Sequence, residues 1–198
     1  MKNLNEMSDE ALALSYVNGN NRAFDVLLSR NQSKIYAYIL CIVHDREKAD
    51  DIFQETFLKV ISKLHEGRYT NSGKFSAWLL RIAHNIIMDT YREQRSDHIV
   101  EMGEDNDLTT IHPKDLLDSN IENQYVNDQV LADVKKMMNL LPSCQREVVY
   151  MRYYQQLSFK EIAQITNVSI NTALGRMRYA LLNMRRMARE YQVGLTME

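Results

Sequence analysis

The chain is poor in residues that interrupt helices and in residues that form cross-links. It has only 6 glycines and 2 prolines among 198 residues, whereas Leu, Met, Ala, Glu, Lys, Arg and Gln are common, and this composition favours helix. Its two cysteines, Cys41 and Cys144, lie far apart in apolar surroundings. We therefore expect two buried free thiols in a reducing compartment rather than a disulfide or a metal pair.

Signals of membrane insertion and of catalysis are also absent from the sequence. No apolar run approaches the length of a membrane span, and the N-terminus lacks a basic segment followed by an apolar one. There is no glycine-rich phosphate loop, zinc-ligand spacing or nucleophile–base pair, and the five histidines are scattered. We therefore expect a cytoplasmic protein without direct membrane insertion, catalytic residues, metal, cofactor or small-molecule substrate.

Charge is distributed unevenly along the chain, although the net charge is only −2. Residues 1–93 carry 12 basic and 12 acidic side chains, residues 94–129 carry 2 and 9, and residues 130–198 carry 10 and 5. The basic C-terminal part has the charge that binding to nucleic acid requires, whereas the acidic middle part cannot bind phosphate itself.

The segment from Leu157 to Leu181 predicts a helix-turn-helix. Ser158 and Glu161 have the spacing of a capping box at the start of a short helix. After a polar break, Ser169 can cap a second helix. Apolar side chains at spacings of four and three predict the buried stripe of that second helix: Ala173, Met177 and Ala180.

Polar side chains lie off this stripe, on the side of the second helix that faces outward. A helix-turn-helix inserts the N-terminal part of its second helix into the major groove of DNA. Asparagine and arginine there can bond to adenine and guanine edges, and arginine also pairs with phosphate. The candidates are Asn171, Thr172, Arg176 and Arg178.

The rest of the chain divides into two helical parts and a linker. Helical periodicity runs from Ser8 to about Arg95, interrupted by a polar loop at residues 66–74 that contains two glycines. The next stretch is acidic, lacks steady periodicity and contains Pro113; periodicity returns at Tyr125. We therefore predict an all-α protein of two small helical domains, residues 1–95 and 125–198, joined by an acidic flexible linker at residues 96–124.

Four features follow one another in a fixed order. They are the acidic amphipathic segment DDIFQETFLKV (50–60), a polar loop followed by FSAWLLRIAHNIIMDTYR (75–92), the acidic linker, and LLPSCQREVVYMRYYQQLSFKEIA (140–163) leading into the helix-turn-helix. Together they resemble the bacterial sigma factors of the extracytoplasmic-function group (group IV). The resemblance implies a region 2-like domain that binds core RNA polymerase and the −10 promoter element, and a region 4-like domain that binds the −35 element. It also implies a sigma factor that promotes promoter melting and transcription initiation without enzymatic activity.

The resemblance assigns a polymerase-binding surface to the third predicted helix. In the family, this face contacts the clamp helices of the largest polymerase subunit, and a carboxylate-rich face would be steered onto a basic one. The alternative is an ordinary solvated helix face. The residues of this polymerase surface are Asp50, Asp51, Gln54, Glu55 and Leu58.

A second surface is implied for the −10 element. In family members, the loop before the fourth helix and the helix itself hold a base that is flipped out of the non-template strand, at a cost of a few kcal/mol that pocket contacts offset. The residues of this −10 surface are Tyr69, Lys74, Arg81, Asn85 and Arg92, with Asn85 matching the pocket asparagine of the family. For Tyr69, base stacking and packing within the domain are equally open. Trp78 is expected in the core, and His84 is expected to be a surface histidine or a hydrogen-bonded one rather than a catalyst.

The −35 surface comprises Ser169, Asn171, Thr172, Arg176, Arg178 and Tyr179. The chain departs from the family here, because Leu174 replaces a common Lys or Arg and Gly175 replaces a common Ser. Gly175 could allow close approach to the DNA backbone or simply be tolerated. Further along the same helix, basic side chains could contact phosphate or form a solvated helix end: Arg185, Arg186 and Arg189.

The partners implied by the resemblance are core RNA polymerase (its largest-subunit clamp helices and its flap), promoter DNA and an anti-sigma factor. One alternative is a helix-turn-helix repressor or activator that acts without being a polymerase subunit; a second nucleic-acid face on the N-terminal domain argues against it. Another is a helical nuclease or metal hydrolase, for which the sequence has no motif. The sequence leaves open whether the two domains are compact or extended relative to each other.

Overall fold

The computed structural model describes residues 4–69, 74–99 and 133–190 of the chain. In these ranges, every regular element is helical, which confirms the predicted all-α class. A short 3₁₀ helix, Leu4–Glu6, precedes the four helices of the N-terminal part: α1 (Asp9–Val17), α2 (Asn21–Val43), α3 (Arg46–His65) and α4 (Phe75–Ile99). The helix α4 thus ends four residues inside the stretch assigned to the linker, whose remainder lies outside the described residues.

Local hydrogen bonds explain where these helices begin and end. The Ser8 hydroxyl accepts a bond of 3.3 Å from the backbone N–H of Ala11 at the start of α1. The Asp45 carboxylate accepts one of 3.2 Å from the N–H of Lys48 at the start of α3. Between α2 and α3, His44 adopts the left-handed conformation with φ 57°, which ends α2 and reverses the chain. Both caps follow from residues that the sequence places next to the helix starts.

The N-terminal helices pack consecutively, α1 on α2, α2 on α3 and α3 on α4, and α4 returns to contact α2. Their apolar stripes form the core of this domain, and fully buried leucine and isoleucine side chains each contribute about 1.5–3 kcal/mol relative to exposure. The largest buried side chains of this core are Tyr38, Phe75, Leu12, Leu27, Ile39, Leu64, Leu79, Leu80, Ile86 and Ile87.

The C-terminal part contains the predicted helix-turn-helix. Residues 133–139 are helical (α5) and are followed by α6 (Ser143–Tyr153), α7 (Phe159–Ile165) and α8 (Ile170–Glu190). The helix α8 packs against both α6 and α7. Its apolar stripe is buried as predicted, with Ala173 and Ala180 fully buried and Met177 only 6% exposed.

The first helix of this motif begins with the predicted capping box. The backbone N–H of Ser158 donates to the Glu161 carboxylate at 2.8 Å, and the N–H of Glu161 donates to the Ser158 hydroxyl at 3.3 Å. The motif turns at Asn167, which has φ 53°, a conformation that asparagine tolerates better than most residues. The geometry of the motif therefore follows from short-range interactions.

The two helical parts also contact each other. The helix α2 packs against α6, and α4 packs against α7. This arrangement brings the helix-turn-helix next to the polar side of α4. Among the described helices, none combines the length with the apolar character that crossing a membrane requires.

Candidate nucleic-acid and protein interfaces

The outer face of α3 presents the whole predicted polymerase surface to solvent. Asp50, Asp51, Gln54, Glu55 and Leu58 are all exposed, and Leu58 is 67% exposed. The opposite face of the helix is buried in the domain core. This face consists of Ala49, Ile52, Thr56, Val60 and Leu64.

Electrostatically, this surface is acidic, with one apolar side chain, Leu58, at its C-terminal end. Asp50 accepts a hydrogen bond of 2.7 Å from the hydroxyl of Tyr36, and this bond is the main cause that raises the pKa of Tyr36. Glu55 forms an ion pair of 2.8 Å with Lys59 one turn away, which contributes little because both side chains are about half exposed. An exposed leucine among carboxylates suits a protein partner with a basic surface and an apolar contact point.

An aromatic cluster at the start of α4 contains Tyr69. Its ring lies edge-on to Trp78, with centroids 4.9 Å apart, and edge-on to Phe75 at 5.6 Å. The Tyr69 hydroxyl is buried and has no hydrogen-bond partner among the described residues. Burial raises the pKa of Tyr69, and the charges of Glu10 and Asp9 raise it further. In this conformation, Tyr69 packs within the domain, and Trp78 packs against the core as expected.

The polar strip of α4 is exposed, whereas Ile82 and Ile86 of the same helix are buried. Arg81, Asn85 and Arg92 all lie at the surface, spaced by one and two helical turns. Arg92 pairs with Asp89 at 2.9 Å, a weak exposed pair that DNA phosphate can replace. Arginine and asparagine in this arrangement can bond to phosphates and to base edges.

The remaining predicted −10 residue, Lys74, lies at the start of the same helix. Its Nζ atom is 3.7 Å from the carboxylate of Glu161 in the helix-turn-helix. Residues 70–73 of the predicted −10 loop lie outside the described residues. Lys74 therefore contacts the C-terminal domain in this arrangement.

The first three turns of α8 carry the predicted −35 surface. The Ser169 hydroxyl accepts a bond of 3.0 Å from the N–H of Thr172 and lies 2.8 Å from its hydroxyl, so Ser169 caps the helix. Asn171, Arg178 and Tyr179 are exposed, whereas Arg176 is half-buried. The helix N-terminus and its exposed side chains suit a polyanionic partner.

Two further positions in α8 bear on the departures from the family pattern. Leu174 is 44% exposed. A methyl group added at Gly175 would meet no heavy atom within 4 Å, so packing within this chain does not require glycine there. Arg185, Arg186 and Arg189 are also exposed along the same helix.

One cleft of about 560 Å³ is lined by two predicted −10 residues and by one predicted −35 residue, Arg176. Asn85 and Arg92 line it from α4, and Asn167 and Arg176 line it from the helix-turn-helix. The polymerase surface on α3 does not line this cleft. In the described part of the chain, no group of three or more His, Cys, Asp and Glu side chains is arranged to hold a metal ion.

Sequence reasoning missed the residues that join the two domains at this cleft. His84 is 6% exposed and its Nδ1 lies 2.7 Å from the carboxylate of Glu147 in α6. Of the two alternatives for His84, surface or hydrogen-bonded, the structure therefore shows the second. Tyr38 of α2 donates to the same carboxylate. A usable signal was the position of Glu147 directly before the apolar pair Val148–Val149, because carboxylates are rarely buried without partners.

These features define an all-α DNA-binding protein of two domains. Residues 27–96 match the family model of sigma-70 region 2, and residues 131–181 match that of sigma-70 region 4; together these matches cover more than half of the chain. The chain is 29% identical over 185 residues to the RNA polymerase sigma-H factor of Pseudomonas aeruginosa. The aligned region covers 87% of this chain and 90% of that protein. It is 25% identical over 174 residues to the ECF RNA polymerase sigma factor SigW of Bacillus subtilis, covering 87% and 92%.

The chain therefore belongs to the sigma-70 family, in its extracytoplasmic-function group, whose members give bacterial RNA polymerase its promoter specificity. A regulator that acts without being a polymerase subunit is not favoured. The resemblance found in the sequence is confirmed.

Two solved structures share the fold. The sigma factor RpoE of Bartonella quintana, in complex with the anti-sigma factor NepR, has a TM-score of 0.62 and 22% identity, covering 84% of this chain and 96% of that one. CnrH in complex with the cytosolic domain of CnrY also has a TM-score of 0.62 and 22% identity, covering 92% and 97%. At this identity the likeness establishes the fold alone.

Proposed function

We propose that this sigma factor divides its work between two domains, residues 1–95 and 125–198, joined by a linker at residues 96–124. The first would bind core polymerase and the −10 element, and the second would bind the −35 element. The observation that carries this proposal is one exposed group of polar side chains on each domain, together with an acidic exposed face on α3.

The polymerase surface on α3 would bind the clamp helices of the largest polymerase subunit, and the C-terminal domain would bind the flap. Support comes from the exposure of all five predicted residues on one side of the helix. The carboxylates would accelerate association with a basic partner, and Leu58, at 67% exposure, would supply the apolar contact.

The −10 surface would capture an unpaired base of the non-template strand. Asn85 would bond to the base, while Arg81, Arg92 and Lys74 would bond to phosphates on either side. Melting would then be driven by binding of extruded bases and would need no nucleotide hydrolysis, so the protein itself would not be an enzyme. Tyr69 could stack on a base only after leaving its contact with Trp78.

The −35 surface would enter the major groove through the N-terminal turn of α8. Asn171 and Arg178 are exposed and are suited to base and phosphate contacts, respectively. Ser169 and Thr172 would help through the helix N-terminus, where backbone N–H groups face a phosphate. Arg176 and Tyr179 complete this surface.

The protein would act in the cytoplasm, where polymerase and promoter DNA are located. We also propose an anti-sigma factor as a partner, since one solved structure of the same fold is a complex of the sigma factor RpoE with the anti-sigma factor NepR. Such a partner would compete with polymerase for the domain surfaces.

Run-off transcription with bacterial core polymerase tests this proposal. The template is a library of upstream fragments from the source genome, and reactions contain the wild-type protein, Asn85→Ala or Arg176→Ala. Discrete starts should appear with the wild type and weaken strongly with either variant. Asn21→Ala and Arg22→Ala, exposed at the start of α2 and outside the three surfaces, are the matched controls. Failure to bind core, with tight binding of duplex DNA by the protein alone, would instead identify a regulator that is independent of polymerase.

A further inference from the structure

Two apolar side chains are exposed at the start of the helix that carries the predicted −35 surface. Ile170, the first residue of α8, is 46% exposed, and Leu174, one turn later, is 44% exposed. Residues four apart in a helix lie on the same face, so these two side chains form one apolar patch. We call Ile170 and Leu174 the apolar pair. The proposed function gives neither residue a role.

The apolar pair lies among the polar side chains of the −35 surface. Asn171, Leu174 and Arg178 follow one another at spacings of three and four, which places them on one face of the helix, and all three are exposed. Ala173 and Met177, which are buried, form a separate stripe of the same helix. A partner that contacts both Asn171 and Arg178 therefore also covers Leu174.

The charge of α8 indicates what kind of partner this face fits. The helix contains five arginines, and its one acidic residue is the last, Glu190. Its N-terminus adds partial positive charge from free backbone N–H groups. A basic helix of this kind suits a polyanion, and a helix-turn-helix inserts this end into the major groove of DNA. The apolar pair would therefore face base edges.

In the major groove, an apolar side chain has one matching group. Thymine presents its C5-methyl group there, whereas the other groups that distinguish the base pairs are hydrogen-bond donors and acceptors. If Leu174 covered such a polar group, the group would lose water without gaining a hydrogen bond, which costs free energy. The apolar pair thus favours thymine by attraction and disfavours other bases by desolvation.

The distance between the two side chains matches the spacing of bases. One helical turn separates Ile170 from Leu174, which is about 6 Å along the helix axis at about 1.5 Å per residue. Successive base pairs are about 3.4 Å apart, so the pair can reach methyl groups on base pairs up to two steps apart. Asn171 follows Ile170 in the same turn and can bond to a nearby adenine.

We propose that the apolar pair reads thymine C5-methyl groups in the −35 element, with Ile170 and Leu174 each contacting one methyl group. This inference rests on the proposed assignment of the −35 surface to α8. It adds two specificity-determining residues and the base that they select. The −35 element of this protein then contains two thymines within two base-pair steps, close to an adenine that Asn171 reads.

Replacing thymine by deoxyuridine tests this proposal, because the replacement removes only the methyl group. The probes are promoter fragments that start transcription in the run-off assay, with one thymine of the −35 element replaced at a time. The binding species is core polymerase carrying the full-length protein. At two positions, the replacement should weaken binding of the wild type about fourfold, which corresponds to about 0.8 kcal/mol for one buried methyl group.

Variants of the apolar pair assign each methyl group to a side chain. Leu174→Ala should lose sensitivity to deoxyuridine at one of the two positions and retain it at the other, and Ile170→Ala should show the reverse. An effect of deoxyuridine on DNA shape would be equal in all proteins, so the comparison removes it. Circular dichroism checks that each variant is folded.

Leu182→Ala is the matched control for these variants. Leu182 is also an exposed leucine of α8, at 47%, but it lies about two turns beyond Leu174. Leu182→Ala should respond to deoxyuridine like the wild type.

Several results would overturn the proposal. Deoxyuridine without effect at every position in the wild type would show that no methyl group is read. Undiminished sensitivity in both Leu174→Ala and Ile170→Ala would assign methyl readout to other residues. Weaker binding of Leu174→Ala to core polymerase without DNA, together with no effect of deoxyuridine, would assign the pair to a protein contact instead.

Asn171→Ala separates this proposal from the proposed function. If this variant binds unmodified promoter DNA more weakly while deoxyuridine has no effect, α8 reads the −35 element and methyl readout is refuted. If neither Asn171→Ala nor deoxyuridine has an effect, the −35 assignment and methyl readout both fail.

Absence of transcription with the wild type would refute the proposed function, and methyl readout would still be decided. Duplexes selected from a random library by the full-length protein alone would then carry the same deoxyuridine replacements. A dependence on two methyl groups that Leu174→Ala and Ile170→Ala each halve would support methyl readout. Failure to select any sequence would refute it.

Discussion

Glu10 of α1 caps the start of α4 from a distance of 65 residues, because its carboxylate accepts a hydrogen bond of 3.0 Å from the backbone N–H of Phe75. Phe75 is the first residue of α4, and the N–H groups of a first helical turn have no partner within the helix. The helix that carries the −10 surface is therefore anchored at its N-terminus by another helix. Phe75 itself is buried beside Tyr69.

This relationship predicts a pH-dependent contribution to stability. The hydrogen bond from Phe75 is the main cause that lowers the pKa of Glu10 from 4.5. A lowered folded-state pKa stabilises the fold above the unfolded value of 4.5, and this stabilisation is lost as the pH falls through the folded-state pKa. Glu10→Gln should therefore lower the free energy of unfolding at pH 7 by about 0.5 kcal/mol, since the site is partly exposed, and by less at pH 3. Urea unfolding at pH 7 and pH 3 measures the free energy of unfolding of Glu10→Gln and of the wild type. Glu93→Gln, which removes one exposed negative charge, is the control. If Glu10→Gln lowered the free energy of unfolding equally at both pH values, the result would contradict a stabilising effect of the lowered Glu10 pKa.

Gly175→Ala should stabilise the C-terminal domain. Glycine within a helix costs about 1 kcal/mol relative to alanine, and an added methyl group would meet no atom within 4 Å. We expect the midpoint of thermal unfolding to rise while affinity for a −35 duplex stays unchanged, which corresponds to simple tolerance of glycine. Higher stability together with a marked loss of DNA affinity would show instead that the DNA backbone approaches this position closely.

The polymerase surface should be sensitive to charge reversal but not important for folding. Asp51→Arg should weaken binding to core polymerase about tenfold, mainly through slower association at low salt, with unfolding unchanged because Asp51 is exposed. Binding kinetics on immobilised core polymerase measure the association and dissociation rates of each variant. Asp25→Arg, an exposed substitution on α2, makes the same change of charge outside this surface. Equal association rates for the two variants would exclude a specific contact at Asp51.

Cys41 should react slowly with alkylating reagents in the native protein. Burial raises the pKa of its thiol to about 11, and the thiolate is the reactive form. At pH 8, iodoacetamide should modify Cys41 much more slowly in the folded protein than in denaturant, as peptide mass spectrometry can measure at the single residue. Equally rapid modification with and without denaturant would contradict the partial burial of this thiol.

Much of the fold was accessible from local sequence. Ser158 and Ser169 each predict a helix start, and each accepts the expected backbone hydrogen bond. The spacing of Ala173 and Met177 predicts the buried side of α8. These predictions succeed because capping and helical periodicity depend on atoms only a few residues apart.

Other features needed the tertiary structure. Sequence left two alternatives for Tyr69, and packing against Trp78 was decided by how the end of α3 meets the start of α4. No sequence pattern indicated that the Glu147 carboxylate would hydrogen-bond to Tyr38, 109 residues away, or to His84. Periodicity indicates that a position faces inward, but not which helix of another domain it meets.

The sequence by itself determined the helical class, the helix-turn-helix, the exposed face of α3 and membership of the sigma-70 family, since each depends on short-range patterns or on motifs in a fixed order. Only the tertiary structure decided how the domains meet, that Asn85 and Arg176 share one cleft, and that Glu147 is buried between domains. The physical reason is that a buried carboxylate is stable only where distant donors converge on it, and such convergence is a property of the folded chain.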